Sequence, residues 1–84
     1  PGCIFKNPAK TSAGLLIDQA GCKGLSVGQV QVSDVHANFM INLGGTSADD
    51  VLSLINKVTQ RVQNVHNITL EPEVRIIGEH GIEN

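Results

Sequence analysis

One long apolar stripe limits the folds open to this chain more than any other feature. Its hydrophobic residues recur every three or four positions, as they do on one face of a helix: Val51, Leu54, Ile55, Val58, Val62 and Val65. Thr46 or Ser47, followed three residues later by an aspartate, resembles a capping box. The pattern predicts a helix of about five turns that buries one face and frays from Asn64 to Asn67.

A second, shorter helix is predicted near the amino end. Its apolar positions follow helical spacing: Ala13, Leu16, Ile17 and Ala20. Thr11 or Ser12 can cap its first turn, and Gly21 is placed to end it.

Between the helices the hydrophobic period changes to two, which is typical of strands. Val30 and Val32 alternate with polar residues over positions 29–33. Positions 36–43 alternate as well, and there we expect one face to comprise Ala37, Phe39, Ile41 and Leu43. Residues 3–5, 68–70 and 74–77 are further strand candidates. The predicted fold is therefore α+β, a small, mostly antiparallel sheet with two helices packed on one face.

The polar faces of these strands have two interpretations. They comprise Gln29, Gln31 and Ser33, then His36, Asn38, Met40 and Asn42, then Glu73 and Arg75. A solvent-facing side of an antiparallel sheet is the more common explanation of such a pattern. A ligand cleft is the alternative.

Composition excludes several functions. The 84 residues suffice for one small domain, and 40 % hydrophobic against 17 % charged residues indicates a folded chain. A net charge of −2 without a basic cluster argues against nucleic-acid and membrane-surface binding. No apolar run approaches the roughly 20 residues that span a bilayer. Two cysteines outside any C-x-x-C pair favour a reducing, cytoplasmic location.

Five segments in register carry a family resemblance. They are residues 2–8 (Gly-Cys-Ile-Phe-Lys-Asn-Pro), 12–17, 23–25 (Lys-Gly-Leu), 32–39 and 70–78 (Leu-Glu-Pro-Glu-Val-Arg-Ile-Ile-Gly). Their order and gaps resemble the C-terminal, substrate-binding domain of the UDP-N-acetylenolpyruvoylglucosamine reductase (MurB) family. The resemblance covers almost the whole chain.

The resemblance implies an oxidoreductase of peptidoglycan synthesis. In that family NADPH reduces FAD, and the enolpyruvyl double bond of UDP-N-acetylenolpyruvoylglucosamine is reduced to give UDP-N-acetylmuramate. We expect residues 1–79 to be the substrate-binding domain and residues 80–84 to be a loose tail. The sequence has no G-x-G-x-x-G loop. We therefore expect a fragment that lacks the FAD-binding domain, binds no cofactor itself and is inactive alone.

The resemblance assigns catalytic roles to Cys3 and Glu73. The family usually has serine as proton donor where this chain has Cys3. A thiol with a reference pKa of about 8.5 is closer to neutrality than an aliphatic hydroxyl and can do that work. Glu73 matches a glutamate that assists protonation or stabilises the enolic intermediate. From pattern alone, a buried free cysteine and a surface Glu73–Arg75 ion pair are the simpler explanations.

Four more residues are candidates for binding the UDP-sugar. Asn7 and Lys6 follow the proposed proton donor and are placed to meet the pyrophosphate or the carboxylate, with Asn7 the stronger candidate. Asn7 is also an ordinary turn residue before proline. Arg75 could orient Glu73 or contact substrate, and His36 could contact substrate or serve as a hydrogen-bonded structural histidine.

Two other function classes compete with the enzyme. One is a non-catalytic module that holds a UDP-sugar or a protein partner on the same face. The other is a metal site, but the spacing of Cys3, Cys22, His36, His66 and His80 matches no compact zinc pattern. Loss of the FAD-binding domain would expose the face that it covers, which favours self-association of the fragment.

Overall fold

The computed structural model describes residues 3–73 in full and the backbone of residues 75–76 and 82–83. The elements, in chain order, are α1 (Ala13–Gln19), β1 (Ser26–Val27), β2 (Val30–Val32), β3 (Met40–Asn42), α2 (Ala48–His66), β4 (Arg75–Ile76) and β5 (Ile82–Glu83). β1, β2 and β3 form an antiparallel sheet in that order, and β4 pairs with β5. The predicted α+β class, with two helices and a small antiparallel sheet, is confirmed.

The long helix α2 begins where the capping pattern predicts. The Ser47 hydroxyl oxygen accepts a hydrogen bond from the Asp50 amide at 3.1 Å, and two aspartates lie in the first turn, where negative charge is favourable. The helix ends at His66, and Asn67 adopts the left-handed conformation with φ of 57°. Asn tolerates this conformation better than most residues, so Asn67 ends the helix cleanly. The expected fraying from Asn64 is wrong.

The predicted apolar face of α2 is correct except at its last position. The buried residues are Val51, Leu54, Ile55, Val58 and Val62. Val65 is 57 % exposed, although it lies in the same helical stripe. The core ends before the last turn of α2, so helical spacing alone does not bury Val65.

The short helix α1 also matches its prediction. Ser12 caps it by accepting a hydrogen bond from the Leu15 amide at 3.1 Å, and Ala13, Leu16 and Ile17 are buried. Gly21, with φ of 75°, follows its end. α1 packs against α2, and α2 packs against β1 and β2.

The sheet departs from its prediction in residues 36–43. Strand β3 covers Met40–Asn42 alone, because the Phe39 amide bonds to the His36 carbonyl at 2.9 Å and forms a turn. That turn shifts the alternation by one residue. Met40 packs against the core opposite Val32, whereas Ile41 and Leu43, expected on the buried face, are 42 % and 52 % exposed.

Two described segments that are far apart in the chain, residues 4–6 and 71–73, pair with each other. Phe5 and Pro72 form an isolated antiparallel bridge, and Ile4, Phe5 and Leu70 belong to the same core as both helices. Ile82–Glu83 pairs with β4. Val74, Ile77 and positions 80, 81 and 84 lie outside the described residues.

Two leucines of α2 test this packing. Leu54 is 1 % exposed and Leu52 is 44 % exposed. We expect Leu54→Ala to lower the free energy of unfolding by about 2–5 kcal/mol, because it removes buried methyl groups and leaves a cavity. Leu52→Ala should change it by no more than about 0.5 kcal/mol. Urea unfolding of both variants measures the difference, and equal losses would contradict the assigned face of α2.

Candidate functional site

The backbone brings residues 3–7, which we call the Cys3 motif, next to residues 70–73, which we call the Glu73 motif. The Lys6 amide donates to the Glu71 carbonyl at 2.9 Å, and the Glu73 amide donates to the Ile4 carbonyl at 2.8 Å. These two bonds flank the bridge between Phe5 and Pro72. Glu73 therefore lies opposite the residue that follows Cys3, although the two motifs come from opposite ends of the chain.

Asn38 holds the other side of the Cys3 motif. Its carbonyl accepts from the Ile4 amide at 2.8 Å, its Oδ1 accepts from the Phe5 amide at 2.9 Å, and its Nδ2 donates to the Phe5 carbonyl at 2.9 Å. Asn38 is 7 % exposed. It was predicted on the polar face of an extended strand, and that placement is wrong because its side chain pairs with a backbone segment instead.

The predicted placement of Ser33 is also wrong. It was placed with Gln29 and Gln31 on a polar sheet face, but it is 8 % exposed and follows the end of β2. Its hydroxyl oxygen accepts hydrogen bonds from the amides of Val35 and His36 at 3.1 and 3.2 Å. Ser33 therefore shapes the loop that carries His36.

A cleft of about 380 Å³ opens between the Cys3 motif, α1 and the loop before β3. Three of the predicted site residues line it, namely Cys3, Asn7 and His36. The His36 ring is exposed and lies 5.3 Å from the Phe39 ring, centroid to centroid. The structure thus gathers a thiol, an amide and an imidazole around one hollow.

Sequence reasoning assigned no role to two further charged residues of this cleft. Lys23 and Asp18 line it and form an ion pair at 3.4 Å. Lys23 begins the Lys-Gly-Leu segment of the resemblance, so a signal was present for the cation. Asp18 gave no such signal, because it looks like an ordinary polar residue on α1.

Asn7 combines a structural role with its place in the cleft. Its Oδ1 accepts a hydrogen bond from the Ala13 amide at 3.0 Å, which satisfies a free donor at the start of α1. Among residues 3–73, the Asn7 Nδ2 has no hydrogen-bond partner. The oxygen thus fixes the chain, while the amide nitrogen has donors to offer a ligand.

Two of the remaining predicted site residues, Lys6 and Glu73, do not line this cleft. Lys6 lines a smaller hollow of about 130 Å³ together with Asn7 and Glu71. Glu73 is exposed and does not line either hollow. Only the backbone of Arg75 is described, in β4, so the predicted contacts of its side chain lie outside the described residues.

The two cysteines have different surroundings. Cys3 is partly buried in the cleft wall, whereas Cys22 is fully buried in the core. Burial raises the pKa of the Cys22 thiol, and the positive charge of Arg61 opposes this in part. Cys22 is a small core residue, and Cys3 is the thiol that a ligand can reach.

Two of the described glycine turns, at Gly24 and Gly28, lie against carboxylates. A side chain at Gly24 would lie 2.8 Å from the Asp34 carboxylate, and one at Gly28 would collide with the Asp50 carboxylate. Carboxylates so close to a turn repel phosphate. Among all the residues that the structure describes, no three His, Cys, Asp or Glu side chains lie close enough together to hold a metal ion. Neither described helix is long and apolar enough to cross a membrane.

Fold and cleft together define a small α+β domain that presents a thiol in a cleft and, on the adjoining segment, a carboxylate. Residues 1–77 match the family described as "UDP-N-acetylenolpyruvoylglucosamine reductase, C-terminal domain". The chain belongs to this family, the MurB C-terminal domains. This confirms the resemblance drawn from the five sequence segments.

Individual relatives agree with the family match. UDP-N-acetylenolpyruvoylglucosamine reductase of Chlamydia muridarum is 57 % identical over 76 residues, which cover 90 % of this chain and 25 % of that protein. The reductase of Trichormus variabilis is 49 % identical over 78 residues, 93 % of this chain and 24 % of that protein. The chain therefore spans about a quarter of the length of these relatives.

A solved structure agrees at the level of the fold. The crystal structure of UDP-N-acetylenolpyruvylglucosamine reductase (MurB) from Thermus caldophilus superposes with a TM-score of 0.68 at 50 % identity. The match covers 86 % of this chain and 26 % of that one.

Thiol labelling tests the placement of the two cysteines. Iodoacetamide reacts with thiolates, so the raised pKa and burial of Cys22 should slow its modification. At pH 8 we expect Cys3 to react at least about 10-fold faster than Cys22, as measured by mass spectrometry of the two peptides. Cys22→Ser should leave the Cys3 rate unchanged. Equal rates in the folded chain would contradict the assignment.

Proposed function

We propose that this chain is the substrate-binding domain of a longer enzyme that reduces UDP-N-acetylenolpyruvoylglucosamine to UDP-N-acetylmuramate. The observation that carries the proposal is the backbone pairing of the segment that places Cys3 in the cleft with the segment that carries Glu73. Family membership supplies the reaction. We place the domain at residues 1–79 and the enzyme in the cytoplasm, where free thiols such as Cys3 and Cys22 persist.

Cys3 is the proposed proton donor. Reduction of a double bond beside a carboxylate leaves negative charge on the substrate, and the adjacent carbon must then gain a proton. Cys3 lines the cleft and is partly buried, so its thiol can reach a substrate there. The serine usual in the family offers a hydroxyl at the same place.

Glu73 is the proposed second catalytic residue. The Glu73 amide donates a hydrogen bond to the Ile4 carbonyl, so Glu73 lies on the segment that pairs with the residues after Cys3. It is exposed, so its carboxylate is accessible to a substrate or to a second domain. We propose that it assists protonation or stabilises the enolic intermediate.

The other predicted residues are proposed to bind the UDP-sugar. Asn7 and His36 line the cleft and carry polar groups suited to the pyrophosphate or the sugar. Lys6 adds a positive charge at the neighbouring hollow. We propose Arg75 as a partner of Glu73 or of the substrate.

FAD and NADPH belong to the intact enzyme in this proposal. The hydride would come from FAD reduced by NADPH, held by the part of the protein that this chain does not include. We therefore propose that the isolated chain is inactive, and that its exposed cleft face favours self-association.

Replacement of Cys3 in the intact enzyme tests the proton-donor assignment. We expect Cys3→Ala to lower turnover of the enolpyruvyl substrate by about 10²- to 10⁴-fold, because general acid catalysis contributes that much. Flavin reduction by NADPH should be unchanged. Cys3→Ser is the matched control and should retain turnover within about 10-fold. Stopped-flow absorbance of the flavin separates the two half-reactions, and normal turnover by Cys3→Ala would refute the role.

Replacement of Glu73 tests the second role separately. Glu73→Gln keeps the shape and the backbone bond to Ile4 but removes the charge. We expect turnover to fall by about 10²-fold or more with flavin reduction unchanged. Asp49→Asn, which removes an exposed carboxylate in the first turn of α2, is the control and should leave turnover within about 2-fold. Equal effects of the two changes would speak against a specific role for Glu73.

A further inference from the structure

We infer that Asn38 is a positioning residue that sets the place of the Cys3 thiol through hydrogen bonds to the two residues that follow it. The inference rests on the proposed function of Cys3 as proton donor. It extends that function by naming the group that holds the donor in place.

Asn38 makes three hydrogen bonds to the segment that follows Cys3. Both of its side-chain bonds are to Phe5: the Asn38 Oδ1 accepts from the Phe5 amide and the Asn38 Nδ2 donates to the Phe5 carbonyl, each at 2.9 Å. Its backbone carbonyl takes the Ile4 amide at 2.8 Å. Asn38 therefore provides the hydrogen bonds that residues 4 and 5 would otherwise form with a neighbouring strand.

The opposite edge of the segment is bonded to residues 71–73. The polar groups of Phe5 point away from Pro72, towards Asn38, while Lys6 and Ile4 bond to the Glu71 and Glu73 side. Asn38 is thus the partner that fixes Phe5, which is 1 % exposed and cannot bond to water instead.

Loss of the Asn38 amide group would leave a buried donor and a buried acceptor of Phe5 without partners. The segment would shift to regain hydrogen bonds, and Cys3, two residues away, would move with it. A displacement of about 1 Å at a reacting group can cost about 10²-fold in rate. Because Asn38 and Cys3 line the same cleft, the shift occurs where the substrate is proposed to bind.

The test compares half-reactions in the intact holoenzyme. We expect Asn38→Ala to slow reoxidation of the reduced flavin by saturating enolpyruvyl substrate by about 10- to 100-fold. Flavin reduction by NADPH should stay within about 2-fold of wild type, and the KM for the UDP-sugar within about 3-fold. This split between kcat and KM separates misplacement of the donor from loss of binding. A folded Asn38→Ala enzyme with normal reoxidation would overturn the inference.

A second variant and a stability control complete the design. Asn38→Asp keeps the size of the side chain and the acceptor for the Phe5 amide but sets an oxygen against the Phe5 carbonyl, so reoxidation should again slow by about 10-fold or more. It serves where Asn38→Ala does not fold. Ser47→Ala removes the cap of α2, away from the cleft, and should lower stability without changing reoxidation. Equal slowing by Ser47→Ala would overturn the inference.

Labelling of Cys3 gives a readout that does not depend on turnover. Iodoacetamide should modify Cys3 at least about 3-fold faster in Asn38→Ala than in wild type or Ser47→Ala, because the released segment exposes the thiol. An unchanged Cys3 rate in Asn38→Ala would overturn the inference even if the wild-type enzyme used another substrate. Failure of wild type to consume NADPH with the UDP-sugar would instead refute the proposed function.

Discussion

The structure depends on how the segment from Cys3 to Lys6 is held on both of its edges. On one edge the backbone of residues 71–73 pairs with it, and on the other edge Asn38 does. The side chains of Ile4 and Phe5 are each 1 % exposed and anchor the segment in the core. The hydrogen bonds on both edges keep the segment in register with its two partners, and those between Asn38 and Phe5 are buried. Both proposed catalytic residues inherit their positions from this arrangement.

The rest of the fold supports that segment. α2 covers β1 and β2 and packs against α1, and the start of α1 is fixed by Ser12 and by the Asn7 side chain. The cleft lies between α1, the Cys3 segment and the loop that Ser33 shapes. Its walls therefore comprise a helix and segments fixed by hydrogen bonds, which suits a site that must hold a donor near a reacting carbon.

Periodicity predicted the elements whose burial follows a single repeating rule. The residues that face the core as their spacing indicates are Val30 and Val32 of β2 and Val51, Leu54, Ile55, Val58 and Val62 of α2. The rule failed at Ile41 and Leu43, because the turn from His36 to Phe39 changes the phase, and at Val65, where the core ends. Alternation in the sequence indicates which residues share a face of a strand, but it does not indicate where a turn exchanges the buried and exposed faces.

The candidate site shows the same limit. The family resemblance singled out Cys3, Asn7 and His36, which meet at the cleft. It did not single out the hydrogen-bonding role of Asn38, because the polar side of a strand and a side chain bonded to a distant backbone look alike in sequence. The contact of Asn7 with Ala13 and the ion pair of Asp18 with Lys23 are tertiary features of the same kind.

A crystal structure of the intact protein with UDP-N-acetylenolpyruvoylglucosamine bound tests the central claim most directly. Our account predicts that the enolpyruvyl group lies in the cleft, with the Cys3 sulfur within about 4 Å of the carbon to be protonated. It also predicts that the Glu73 carboxylate contacts the same substrate group. A substrate bound with Cys3 facing the core, or with Glu73 on another side of the molecule, would contradict it.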